Sequence, residues 1–282
     1  MIDQAPPIMH VHIIALFFIQ ILRSIILLII RLALTVFCIV CLICSGFQDS
    51  NGETKWFIYL TNWSFTLLTL TLILLSYLSS CHVYYEWRNR FHDDPENVGG
   101  DYGSFETLEN VKLKKASETE MLVVRKDRDP FKPKPSRWYH QVTWLLYNVA
   151  FSAGILVTVF YWAFVLEGTP GFLDVSAHAL NSVVILIEFF LGRVPIRLLH
   201  AIYTMFYCTV YVIFTVIYWK AGGLNAEDET YIYEDIDYDK NSAGEILAMV
   251  LPAVLIVPPL CQLFFFGLYK LRCRWFDPFN ND

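Results

Sequence analysis

The sequence predicts an all-α integral membrane protein of six spans. Hydrophobic residues make up 56% of the 282 residues and charged residues only 17%, against about 25% charged in soluble domains. The apolar residues gather in runs long enough to cross ~30 Å of hydrocarbon. Lys and Arg fall almost wholly into alternate connecting segments, the pattern that orients membrane helices.

The runs cover residues 25–46, 57–82, 141–166, 174–192, 198–219 and 245–269. Residues 1–24 read as a cytoplasmic or interfacial N-terminal segment. Its apolar character begins near residue 13, but Arg23 and Arg31 interrupt it. It has no basic leader and no small-residue cleavage site after the apolar run, so it reads as retained. With the N-terminus in the cytoplasm, the outer loops hold only Lys55, Lys220 and Lys240. The other Lys and Arg fall inside, apart from Arg31 within the first span. Both termini are therefore expected to be cytoplasmic. Residues 25–269 form a six-helix transmembrane domain with a charged cytoplasmic loop at 88–137, and 270–282 are a cytoplasmic tail.

The loop 88–137 begins acidic and ends in the basic, Pro-rich RKDRDPFKPKPSR. It reads as a connector, with anionic lipid as the sharper alternative. The last outer segment, AGGLNAEDETYIYEDIDYDKNSA, is strongly acidic. Asp235, Asp237 and Asp239 imitate the start of a calcium loop, but Lys240 stands where its glycine belongs and no Glu closes it. A solvated acidic loop is the expectation. Pro252, Pro258 and Pro259 predict a kink in the last span. The seven cysteines are odd in number and none lies in an outer loop, which argues against a disulfide framework. Cys38, Cys41 and Cys44 share a helix face in the first span and read as small buried groups. No metal site, cofactor or nucleic-acid partner is expected, because neither a ligand set nor a large basic face is visible.

Polar groups at membrane depth are the most informative residues. In HALNSVVILIEFF (178–190), His178, Asn181, Ser182 and Glu188 fall within about 120° on a helix. Lipid cannot satisfy such a stripe, so it should face protein. His178 enters roughly 6 Å past Asp174, and Thr61 and Asn62 lie roughly 8–9 Å past Trp56 on the same side. Thr61 and His178 are thus expected at nearly one depth. An imidazole beside a hydroxyl can make a nucleophile, and a lipid ester would be its natural electrophile. Asn62 or Asn181 could donate to a developing oxyanion. The alternative is that these groups are interhelical glue worth ~0.6–2 kcal/mol a pair. Two further expectations are a lipid-interface belt at Tyr161-Trp162 and a snorkelling His200.

WFIYLTNWSFTLLTL (56–70), WLLYNVAFSAGILVTVFYW (144–162), HALNSVVILIEFF (178–190), PIRLLH (195–200), YVIFTVIYWKAGG (211–223) and IYEDIDYDK (232–240) together resemble the rolling stone family. That family's founding member is associated with myoblast fusion and mesoderm development, and the resemblance implies such a role here. A more distant similarity is to the androgen-induced-protein group of six-span membrane threonine hydrolases, which cleave fatty acid esters of hydroxy fatty acids. Thr61 after Leu60, His178, and Ile187-Glu188 ten residues on reproduce that group's spacing. The resemblance implies a nucleophile at Thr61 and a catalytic base at His178. Asn62-Trp63 and Asn181-Ser182 depart from the hydrolases' pattern.

The resulting expectation is a multi-pass protein of the plasma membrane or endoplasmic reticulum with a polar pocket between the second and fourth spans. Thr61 and His178 would be its candidate reactive pair, with Asn62, Asn181, Ser182 and Glu188 as pocket or orienting residues. It would act in cell–cell fusion or muscle development, the bilayer its surroundings, or alternatively hydrolyse a lipid ester.

Overall fold

The computed structural model describes residues 7–47, 55–91, 137–165, 168–192 and 194–276. The connector segment 92–136, with its basic Pro-rich stretch, lies outside them. Among the described residues the chain is helical, with no strand.

Six helical stretches are long and apolar enough to cross a membrane: Leu22–Phe47, Leu60–Arg88, Trp138–Phe164, Phe172–Leu191, Leu198–Lys220 and Ala243–Trp275. Helix α1 is Pro7–Phe47 and α2 is Leu60–Phe91, entered through a 3-10 turn at Lys55–Ile58. Helix α3, Trp138–Phe160, runs into a π turn at Tyr161–Val165. Helix α4 comprises Phe172–Val175, a π turn at Ser176–Leu180, and Asn181–Leu191. Helix α5 is Ala201–Lys220.

The last span is two helices, α6 (Ala243–Leu255) and α7 (Val257–Phe276). The kink expected from the prolines falls at Ile256. Pro258 and Pro259 open the first turn of α7, where a missing N–H costs nothing and φ is already helical. Helix α6 starts sharply because Ser242 and Glu245 form a capping box. The Ser242 amide donates to the Glu245 carboxylate at 2.8 Å and the Glu245 amide returns a bond to the Ser242 hydroxyl at 3.3 Å.

The chain divides into two units, Met1–Val83 with Val142–Asp282, and Tyr84–Gln141. In the second unit Tyr84 stands edge-on to Tyr85, with ring centres 5.8 Å apart. In the first, α4 packs on α1, and α5 packs on α6 and α7. One apolar cluster joins Cys38 of α1, Leu68 and Leu72 of α2, Phe151 of α3, Ile185 and Phe189 of α4, and Phe265 of α7. A smaller one joins Leu156, Val157, Cys208, Val254 and Cys261. Large side chains such as Val36, Val40, Ile202, Phe206 and Leu263 point outward, where only lipid would make their exposure favourable.

Two expectations about single residues change. Cys38 and Cys41 are buried as expected, but Cys44 is exposed. Successive steps of three residues fall ~60° short of a turn, so a run of them leaves the buried face. His200 does not snorkel. It is buried and stands edge-to-face on Trp144, with ring centres 4.4 Å apart.

Candidate functional site

A cavity of about 880 Å³ lies at the end of the bundle that carries the acidic segment after α5. Thr61 and Asn62 line it from α2, Leu156, Val157 and Tyr161 from α3, and Asp174 and His178 from α4. Helix α5 adds Cys208, Tyr211 and Thr215, and α6 adds Val250 and Val254.

The acidic segment is not simply a solvated loop, as the sequence suggests. Residues from Asn225 to Tyr238 line the cavity and roof it. Several bonds tie this roof down. The Leu60 amide donates to the Tyr233 hydroxyl at 3.2 Å, Lys55 Nζ donates to the Asn225 carbonyl at 2.7 Å, and the hydroxyls of Thr215 and Tyr238 meet at 2.8 Å. Tyr59 stands edge-on to Tyr233, and Trp219 lies 5.1 Å from Tyr238. Within the roof, Asn225 Oδ1 accepts the amides of Glu227 and Glu229, both at 2.9 Å, closing an Asx-type turn. Asp237 accepts the amides of Asp239 and Lys240 and pairs with the Lys240 ammonium at 3.4 Å. Burial pushes the Asp237 carboxyl up, but these donors outweigh it and hold the group below its usual range.

His178 sits in the π turn of α4, and π turns are frequent at functional positions. It is 7% exposed, and its ring lies flat on Tyr161 of the facing π turn, with centres 3.5 Å apart and planes 1° apart. Among the described residues nothing hydrogen-bonds its Nδ1. Tyr161 is therefore a cavity residue rather than part of a lipid belt, and the Trp162 indole donates to the His178 carbonyl at 3.4 Å.

Thr61, Asn62 and His178 thus share one cavity, but no hydrogen bond joins Thr61 to His178 among the described residues. The Asn62 amide donates to the Trp56 carbonyl at 2.6 Å, which ties the 3-10 turn to the first turn of α2. The other three candidates lie elsewhere. Asn181 is buried and reaches the Gly154 carbonyl at 3.4 Å, close enough because Gly154 has no side chain. Ser182 shares a hydrogen bond with Thr158 at 2.8 Å. Glu188 is fully buried far down α4 and pairs with Arg31 of α1. The expected stripe assumed 100° per residue throughout. The π turn at Ser176–Leu180 resets the angle, so His178 and the later polar residues address different partners.

Three polar clusters were not singled out in the sequence. Arg31 holds Glu188 and donates also to Ser79. Gln262 of α7 donates to Asn148 Oδ1 at 3.2 Å and to the Arg197 carbonyl at 2.9 Å, and accepts from Ser152 at 2.9 Å. Arg272 donates to the carbonyls of Phe189, Gly192 and Val194, the exposed end of α4, where a cation also complements the helix dipole. The first cluster left a signal, since Arg31 and Glu188 are opposite charges near the same expected membrane face.

No solved structure matches the chain. A family model described as Protein rolling stone matches residues 119–280. The chain is 26% identical over 248 residues to Protein rolling stone of Drosophila melanogaster, covering 86% of this chain and 73% of that protein. With the family model spanning more than half of its length and six apolar helices long enough to cross a bilayer, the chain belongs to the rolling stone family of multi-pass membrane proteins.

Proposed function

We propose that this protein acts in cell–cell fusion, of the kind associated with muscle and mesoderm development, and that the roofed cavity between α2 and α4 is its working site. One observation carries the reading: in a chain of the rolling stone family, a cavity of about 880 Å³ collects Thr61, Asn62 and the unpaired His178 beneath an ordered acidic roof. That size falls within the ~300–1,000 Å³ of small-molecule sites. Partnerless polar groups at membrane depth are costly, and those kept there mark function.

The test fills the cavity and reads fusion. Fusion-competent cells depleted of the protein should fuse less and recover with the native chain. Ala177→Trp at equal abundance should not restore them. Full rescue by that variant would remove the cavity from the role.

The hydrolase is the second reading, supported by Thr61 and His178 lining one cavity. His178 would take the Thr61 hydroxyl proton as Oγ attacks the ester carbonyl. The acyl group would pass to Thr61, the alcohol would leave with that proton, and water would release the acid. Against it, Glu188 is committed to Arg31 rather than to orienting the imidazole. A fluorophosphonate probe decides: labelling of native protein that disappears in Thr61→Ala and in His178→Ala supports the hydrolase, and folded native protein that takes no label removes it.

A further inference from the structure

We propose that the cavity binds a single-chain amphiphile with an ammonium head and no phosphate. The proposal rests on the reading that this cavity is the working site and names its ligand class.

The walls are sorted by chemistry. Asp174, Glu227, Glu234 and Asp235 line the roofed end, and no Lys or Arg does so among the described residues. Four carboxylates without a lining cation repel an anionic head and attract a cationic one. Aromatic faces stand among them, including Trp56, Tyr59, Trp219 and Tyr231, and such cages take ammonium groups over their rings. The rim's own lysines display that chemistry. Lys220 Nζ lies 3.8 Å from the Trp219 ring centre and Lys240 Nζ 5.2 Å from that of Tyr231, although neither lysine lines the cavity.

Deeper in, Leu156, Val157, Val250 and Val254 offer an apolar wall for a chain. His178 is the independent sign of a ligand. It lines the cavity with only 7% of its surface exposed, and its Nδ1 has no partner among the described residues. A buried polar atom in that condition is costly unless something meets it. A hydroxyl or ester carbonyl close to the ammonium head would do so. A phospholipid head would carry its phosphate into the same carboxylates, which is why the ligand lacks one.

The experiment is photolabelling in neutral maltoside micelles with two diazirine-bearing hexadecyl probes, one ending in trimethylammonium and one in sulfate. Labelled residues are mapped by mass spectrometry, and no fusion readout enters. The ammonium probe should label the cavity wall about tenfold more efficiently than the sulfate probe. It should lose most of that advantage in Glu234→Gln/Asp235→Asn, whose side chains are exposed and make no structural bond among the described residues. Competition by hexadecylamine but not by tetramethylammonium assigns the ligand to the bilayer, whereas competition by both assigns it to a soluble ammonium compound. Equal labelling by the two probes, labelling unchanged in the double variant, or no label in the cavity would each overturn the proposal. Should the double variant misfold, the comparison of the two probes on the native chain still decides. Cavity labelling without loss of fusion in Ala177→Trp would leave the ligand standing and the fusion role refuted.

Discussion

Arg31 and Glu188, 157 residues apart, form a buried ion pair that clamps α1 to α4. Arg31 Nε lies 3.1 and 3.0 Å from the two carboxylate oxygens, and Nη2 lies 2.5 Å from one of them. Glu188 is wholly enclosed and Arg31 nearly so. Removing one partner leaves a lone charge in an apolar surrounding. Glu188→Ala should therefore lower stability by about 3–5 kcal/mol. Arg31→Met with Glu188→Leu should recover most of that loss, because both charges leave together. Thermal unfolding in detergent measures the pair, and a double variant no better than the worse single one would refute the account.

Gly154 is where α3 and α4 approach most closely. A Cβ built there would lie 2.4 Å from Ile185 Cδ1 and 3.0 Å from Asn181 Oδ1. Ile185 is fully buried, so it has little room to yield. Gly154→Ala should cost about 1–3 kcal/mol through overpacking, read as a lower unfolding temperature.

Gln262 binds α7 to α3 through Asn148 and Ser152 and to the turn before α5 through the Arg197 carbonyl. Gln262→Leu keeps the volume but strands three groups. Interhelical bonds of this kind average ~0.6 and reach ~1.7 kcal/mol each, so a loss of about 1–3 kcal/mol is expected in the same unfolding assay. Gln262→Glu, which keeps an acceptor for Ser152, should lose less if that bond dominates.

The roof should respond to pH through Asp237 and Lys240. Donation from Lys240 to Asp237 raises the ammonium's pKa, and the carboxyl is held below its usual range. The stabilisation from Asp237 is complete above the ordinary aspartate value of about 3.9 and disappears as pH falls through the lowered one. That from Lys240 is complete below about 10.4 and disappears as pH rises beyond its raised value. The roof should therefore hold across the neutral range and loosen at both extremes. Fluorescence of Trp219, 5.1 Å from Tyr238 at the roof, reports it. Asp237→Asn should abolish the acid limb, and an unchanged acid limb would show that another carboxyl controls it.

We expect the acidic roof to face away from the cytoplasm. A membrane-impermeant amine reagent applied to intact cells should modify Lys220 and Lys240 and spare Lys270. Modification of Lys270 alone would reverse the orientation.

The number of spans, their helical nature and their limits were legible in the sequence because hydropathy and length are local properties. The break at the prolines of the last span was legible for the same reason, and the ordered motifs from residue 56 to 240 carried the family resemblance. The sequence also marked Thr61, Asn62 and His178 by depth alone, since rise per residue converts position into depth. Which groups meet was a tertiary matter. The π turns at Tyr161–Val165 and Ser176–Leu180 rotate everything beyond them, so a uniform helical wheel could not separate His178 from Asn181, Ser182 and Glu188. The acidic segment became a roof only through long-range bonds such as Leu60 to Tyr233 and Lys55 to Asn225. Composition alone described it as solvated, because charge content reports affinity for water and says nothing about what a loop covers.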